Sequence, residues 1–159
     1  MDWIDELVAT DERKASAEQR KEELRLHKAK LIRGIAPQFW SEAIERVRAD
    51  CDKLKAKFPD DRSRHCNFTP MPEGFRLQGS KLPIRICELS LNLDGQCIYW
   101  VTYSKESREH SSLPHRESIR LDVNHDDELE LNSGGREFHS AESLSKYLIS
   151  YVCGLGSGY

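Results

Sequence analysis

Leu89-Ser90-Leu91-Asn92-Leu93-Asp94-Gly95-Gln96-Cys97-Ile98-Tyr99-Trp100 decides the fold of this chain. Leucines at 89, 91 and 93 alternate with small polar residues, the period of two that turns one side of a strand toward a core. Asp94-Gly95 then signals a two-residue type I′ turn, which needs positive φ at both central positions. Closing the hairpin there sets Leu93 opposite Gln96, Leu91 opposite Ile98 and Leu89 opposite Trp100, so these residues form the expected core face. The other face carries Glu88, Ser90, Asn92, Cys97, Tyr99, Val101 and Tyr103, a mixture that suits partial cover.

Downstream, Lys105 to Arg116 reads as a polar loop and Ile119, Leu121 and Val123 as a strand, with Leu129 and Leu131 on its return partner. After Ser133-Gly134-Gly135 a short strand carries Phe138. Ser140 caps a last helix that buries Leu144, Leu148, Tyr151 and Val152 and stops at Gly154. Upstream, Phe75 and Leu77 alternate in a short strand, as do Leu82, Ile84 and Ile86. The shift of apolar phase to Cys87 and Leu89 implies a bulge near Ile86 and Cys87. Phe58 to Glu73, broken by Pro59, Pro70 and Pro72, reads as an irregular loop.

The N-terminal third is helical in pattern. Trp40, Ile44, Val47, Cys51, Leu54 and Phe58 are spaced 4, 3, 4, 3, 4 and mark one packing stripe. Gly34 and Pro37 interrupt the pattern, Thr10-Asp11-Glu12 looks like an N-cap with acids in its first turn, and Trp3, Ile4, Leu7 and Val8 form a separate turn that needs a surface to dock on. These signals predict an α+β fold: an N-terminal long helix or helical hairpin, an antiparallel meander of about five strands, and a C-terminal helix packed on one sheet face. Residues 1-58 are the helical arm and core-facing helix, 73-153 the sheet with its last helix, together one domain, and 154-159 a flexible tail.

At 159 residues, with 32% charged and 38% apolar residues and a formal net charge of −3, the chain suits one globular domain rather than a disordered polymer. The longest apolar run, Cys97 to Val101, is far short of the ~20 residues that span a bilayer. The acidic start, Met1-Asp2-Trp3-Ile4-Asp5-Glu6, is unlike a basic leader. Five cysteines without a Cys-x-x-Cys suit reduced thiols, and a cytoplasmic protein is expected.

Chemistry-bearing motifs are few. Asp122, Asn124 and Asp126 match the first three ligand positions of a calcium-binding EF-hand loop. Asp127 stands where that loop needs glycine, however, and Ser133 where it needs glutamate, so an acidic β-turn is the better reading. His65-Cys66 and His110 with His115 lack zinc spacing, and adjacent His65 and Cys66 point to opposite sides of an extended segment. His27, near the packing face of the first helix, reads as a core or boundary histidine. No nucleophile motif or phosphate loop is present, and no catalytic residue, cofactor or metal is expected.

Charge is more informative. Residues 13 to 33 hold eight bases (Arg13, Lys14, Arg20, Lys21, Arg25, Lys28, Lys30, Arg33) against Glu18, Glu22 and Glu23. Glu117 to Glu130 holds six acids, among them Asp122, Asp126 and Asp127, against Arg120 alone. Arg13 to Glu23 has no large apolar residue, so no ordinary core holds it. The favoured reading is a non-catalytic interaction or self-association module. In it Trp3, Leu7 and the stripe of Arg13, Lys14, Arg20, Lys21, Arg25 and Lys28 meet a protein partner or a second copy, with Asp122, Asp126 and Asp127 as the acidic counterpart. Nucleic-acid binding by the same stripe is the alternative, weakened by 13 bases against 13 acids over residues 1 to 60. A small-molecule site or enzyme on the mixed sheet face is the other. No membrane partner is expected.

Overall fold

The computed structural model describes residues 2–107 and 109–155. Most of the expected tail, residues 156–159, lies outside the described residues. The fold is α+β in two layers, with two helices on one face of an antiparallel sheet.

Helix α1 runs unbroken over Trp3–Lys57, so the helical hairpin and the break at Gly34-Pro37 are corrected. The reason lies in tertiary packing. Ile32 and Ala36 before the proline, and Trp40, Ala43, Val47 and Cys51 after it, are all buried on one stripe. Pro37 faces outward, where water can satisfy the carbonyl that loses its amide partner. Burial on both sides outweighs the roughly 3 kcal/mol local cost of an interior proline. Thr10 likewise is no cap: it lies inside α1, and its Oγ1 donates to the Glu6 carbonyl at 2.8 Å. Gly34 is exposed, and a Cβ there would meet nothing within 4 Å. Gly34→Ala should therefore stabilise the protein by about 0.5–1 kcal/mol, read as a higher urea midpoint; an unchanged or lower midpoint would contradict it.

Seven strands follow, not about five: β1 Cys66–Met71, β2 Gly74–Gly79, β3 Ile84–Asn92, β4 Cys97–Lys105, β5 His115–Val123, β6 Leu129–Ser133 and β7 Arg136–Phe138. They pair strictly in chain order. The irregular loop expected at 58–73 instead contains a 3-10 turn at Arg62–Arg64 and all of β1. Pro70 is tolerated because β1 is an edge strand, where one row of amides needs no partner.

The central hairpin keeps the expected register, Leu89 opposite Trp100 and Leu91 opposite Ile98. Its turn differs. The strands close at Asn92 and Cys97, positive φ falls on Gln96 at 52° rather than on Asp94 and Gly95, and Asn92 Oδ1 accepts from the Gly95 amide at 3.1 Å. The expected bulge is absent: the β3–β4 ladder is continuous from Ile84 to Asn92. Cys87 and Ile86 face opposite sides and both are buried, Cys87 under the helices and Ile86 between its outer-face neighbours Gln78 and Tyr103.

Helix α2, Ala141–Cys153, starts at a Ser140 capping box and ends at Gly154 with φ 66°. Leu144, Leu148 and Val152 are buried in the core shared with α1 and the sheet. Ser145 ties α2 to α1, its Oγ donating to Asp50 Oδ2 at 2.7 Å, and Arg46 reaches both Asp50 (3.0 Å) and Glu142 (3.6 Å). No helix among the described residues is long and apolar enough to cross a membrane.

Candidate interaction surface on the N-terminal arm

The sheet reaches α1 only as far as Lys28 to Ile32. Lys28 Nζ lies 3.5 Å from Asp122 Oδ1, and Arg33 donates to Asp94 at 2.9 Å. From Trp3 to His27 every residue is exposed except half-buried Ala9. At 1.5 Å per residue these 25 residues make an arm roughly 37 Å long. A helix this polar is held by propagation from its packed end and by pairs along its own surface. Arg25 donates to Glu22 at 2.6 and 2.9 Å, and Gln19 donates to Glu23 at 3.3 Å. The hydrogen bond from Arg25 keeps the Glu22 carboxyl below its usual range.

The end of the arm is apolar. Trp3, Ile4, Leu7 and Val8 are 70%, 49%, 52% and 50% exposed. Because α1 is continuous, their angular position is defined: at about 100° per residue they fall on the same side as Ile32, Ala36, Trp40 and Val47. The stripe that makes the core thus reappears, unpartnered, at the far end of the helix. Trp3 does not fold back to complete the core.

All of the expected basic residues, Arg13, Lys14, Arg20, Lys21, Arg25 and Lys28, lie along α1. Of the acidic residues expected to face them, only Asp122 is brought to the arm, through Lys28. Asp126 lies 3.5 Å from His125 Nε2, and Asp127 sits at positive φ in the β5–β6 turn, where Asn124 Oδ1 accepts the amides of Asp126 and Glu128. The segment is a hydrogen-bonded turn. Where the arm meets the body, a groove of about 360 Å³ is lined by Lys21, Leu24, Arg25, Lys28, Arg120 and Asp122, among others. It carries four bases against one acid, with Lys28 paired to Asp122 and Arg25 to Glu22. The sequence shows Arg120 only as the lone base of the acidic segment; its place in the groove follows from the pairing of Arg120 with Cys97 at the hairpin end.

The other candidates resolve into structure. His27 is exposed rather than at the boundary. His65 Nε2 donates to the Phe58 carbonyl at 2.6 Å, while Cys66 turns inward to within 2.9 Å of Cys51 Sγ. No group of three or more His, Cys, Asp or Glu among the described residues is arranged to hold a metal. On the outer sheet face Glu88 is engaged by Arg76 at 2.7 Å and by Tyr103 Oη at 3.2 Å, and Asn92 donates to Tyr99 Oη at 2.7 Å. No family model, no curated protein and no solved structure matches this chain.

Proposed function

We propose that the protein is a non-catalytic protein-association module whose α1 arm is the docking element. One observation carries the reading: Trp3, Ile4, Leu7 and Val8 are exposed at the end of a continuous helix, aligned with its core stripe. Exposed apolar residues clustered on one helix face are the usual mark of helix-in-groove or helix-on-helix recognition. Nucleic-acid binding is less favoured, because Arg25 is neutralised by Glu22 and the arm begins with five acids and no base between Asp2 and Glu12.

Hydroxyl-radical footprinting of Trp3 tests the reading, with buried Trp40 and Trp100 as internal references. Oxidation of Trp3 should fall several-fold between dilute purified protein and either concentrated protein or cell extract. Equal oxidation in all three would overturn the reading. Protection that disappears after nuclease treatment would transfer it to nucleic acid.

A further inference from the structure

We propose that the partner of the arm is a second copy of this chain, lying antiparallel to the first across a two-fold axis near Ser16. The inference rests on the reading of the arm as a docking element and supplies its occupant.

On the face of α1 that continues the core stripe, six charged positions follow Val8: Asp11, Lys14, Glu18 and Lys21, then Glu22 and Arg25, which pair with each other; the first four are the ones left open. The signs of Asp11, Lys14, Glu18 and Lys21 alternate and their spacing is 3, 4, 3. That spacing is unchanged when the helix is turned end for end, whereas the order of signs inverts. Antiparallel copies therefore set Asp11 against Lys21 and Lys14 against Glu18, each pair occurring twice, as an isologous interface requires. Parallel copies would set every charge against itself. None of the four has an ion-pair partner within the chain among the described residues, while Glu22 and Arg25 beside them satisfy each other.

The same superposition holds at both ends. Leu7 falls opposite Arg25, Ile4 opposite Lys28, and Trp3 opposite Ala29. Helix α1 begins at Trp3, and the sheet first meets it at Lys28, so the first turn of the partner helix is set at the edge of the body. Its end arrives at the groove of Lys21, Leu24, Arg25, Lys28, Arg120 and Asp122, in which Asp122 pairs with Lys28. The incoming segment carries Asp2, Asp5, Glu6, Asp11 and Glu12 and no base, and it meets a groove in which Arg25 and Lys28 are already paired while Lys21 and Arg120 have no ion-pair partner among the described residues. The indole and aliphatic side chains of Trp3, Ile4 and Leu7 gain cover from Leu24 and from the stems of the basic residues.

The test is the solution mass of the full chain by light scattering over a concentration series, with two charge-reversed variants. D11K/E18K makes the stripe wholly basic and K14E/K21E makes it wholly acidic. All four positions are exposed, so helix content should match the unaltered protein, as should the urea midpoint measured at a dilution where the unaltered chain is also monomeric; both certify the fold. The unaltered chain should reach twice 18.4 kDa. Each variant alone should stay monomeric, and an equimolar mixture should recover the dimer, because both tip-to-groove contacts and all four stripe pairs are then attractive. Three results would overturn the proposal: an unaltered chain monomeric at its highest soluble concentration, a variant that dimerises alone, or a mixture that remains monomeric. The first combined with protection of Trp3 in extract removes the second copy but leaves the docking reading standing. The first combined with an unprotected Trp3 removes both.

Discussion

Trp40→Ala should cost about 3–5 kcal/mol of unfolding free energy, the range for deleting a large aromatic side chain from a core. Trp40 is 5% exposed and joins the two layers at the edge of the sheet. Its ring stacks on Phe75 at 5.6 Å between centroids, and Phe75 stacks in turn on Phe68 at 5.4 Å. One aromatic column thus runs from α1 through β2 to β1. The indole Nε1 also donates to the Glu73 carbonyl at 2.9 Å, in the turn where Glu73 takes a positive φ of 59°. That carbonyl keeps a second donor, the Leu91 amide at 3.0 Å, so losing the indole does not leave it bare. Packing is therefore the larger loss. Trp40→Phe, which preserves a stacked ring and removes the N–H, should cost roughly 1 kcal/mol for the hydrogen bond plus a smaller packing loss. Urea unfolding of the three proteins separates the contributions. A Trp40→Ala protein within about 1 kcal/mol of the parent would refute this account of the column, since a collapsed cavity is the only way to escape the cost.

Trp40 also illustrates what was legible in the sequence. The stripe of Trp40, Val47 and Cys51 was readable because apolar side chains mark a helix period directly. Ala36 and Ala43, equally buried, were not, because alanine is the best helix former and is common on exposed helix faces as well as buried ones. Register in the β3–β4 hairpin and the caps of α2 were readable because alternation and capping are local. The continuity of α1 was not. Gly34 and Pro37 are correct local stop signals, overridden by burial of Ile32 and Trp40 against strands far away in sequence. β1 was hidden by Pro70, a legitimate breaker anywhere except at an edge whose existence depends on the whole sheet. The charged stripe of the arm was evident from composition, yet the alignment of Trp3, Leu7, Asp11, Lys14, Glu18 and Lys21 with the core face needed an unbroken helix. An error about one proline was enough to conceal the symmetry of the candidate interface.

Raising the pH above about 9 should destabilise the fold steeply, through thiols rather than through surface charge. Cys66 and Cys87 are fully buried. At Cys87, burial pushes the thiol well above its ordinary value, with a hydrogen bond to the Leu77 backbone working the other way. At Cys66, the hydrogen bond with Cys153 favours the thiolate, but the contact with Cys51 and burial outweigh it and push the thiol up to about 12. In the unfolded chain both titrate near the free-thiol value of about 8.5. Between that value and the folded one, the unfolded state has lost a proton that the folded state retains. Unfolding then releases protons, so stability that is complete below about pH 8.5 declines as pH rises, by about 1.4 kcal/mol per pH unit for each such thiol. Cys87→Ala isolates one of them, since its lost packing is the same at every pH while its titration is gone. Plots of unfolding free energy against pH for the parent and Cys87→Ala should therefore run parallel up to about pH 8 and converge above it, the variant shallower by about 1.4 kcal/mol per pH unit. Plots that stay parallel to pH 11 would show that the Cys87 proton is not held by the fold.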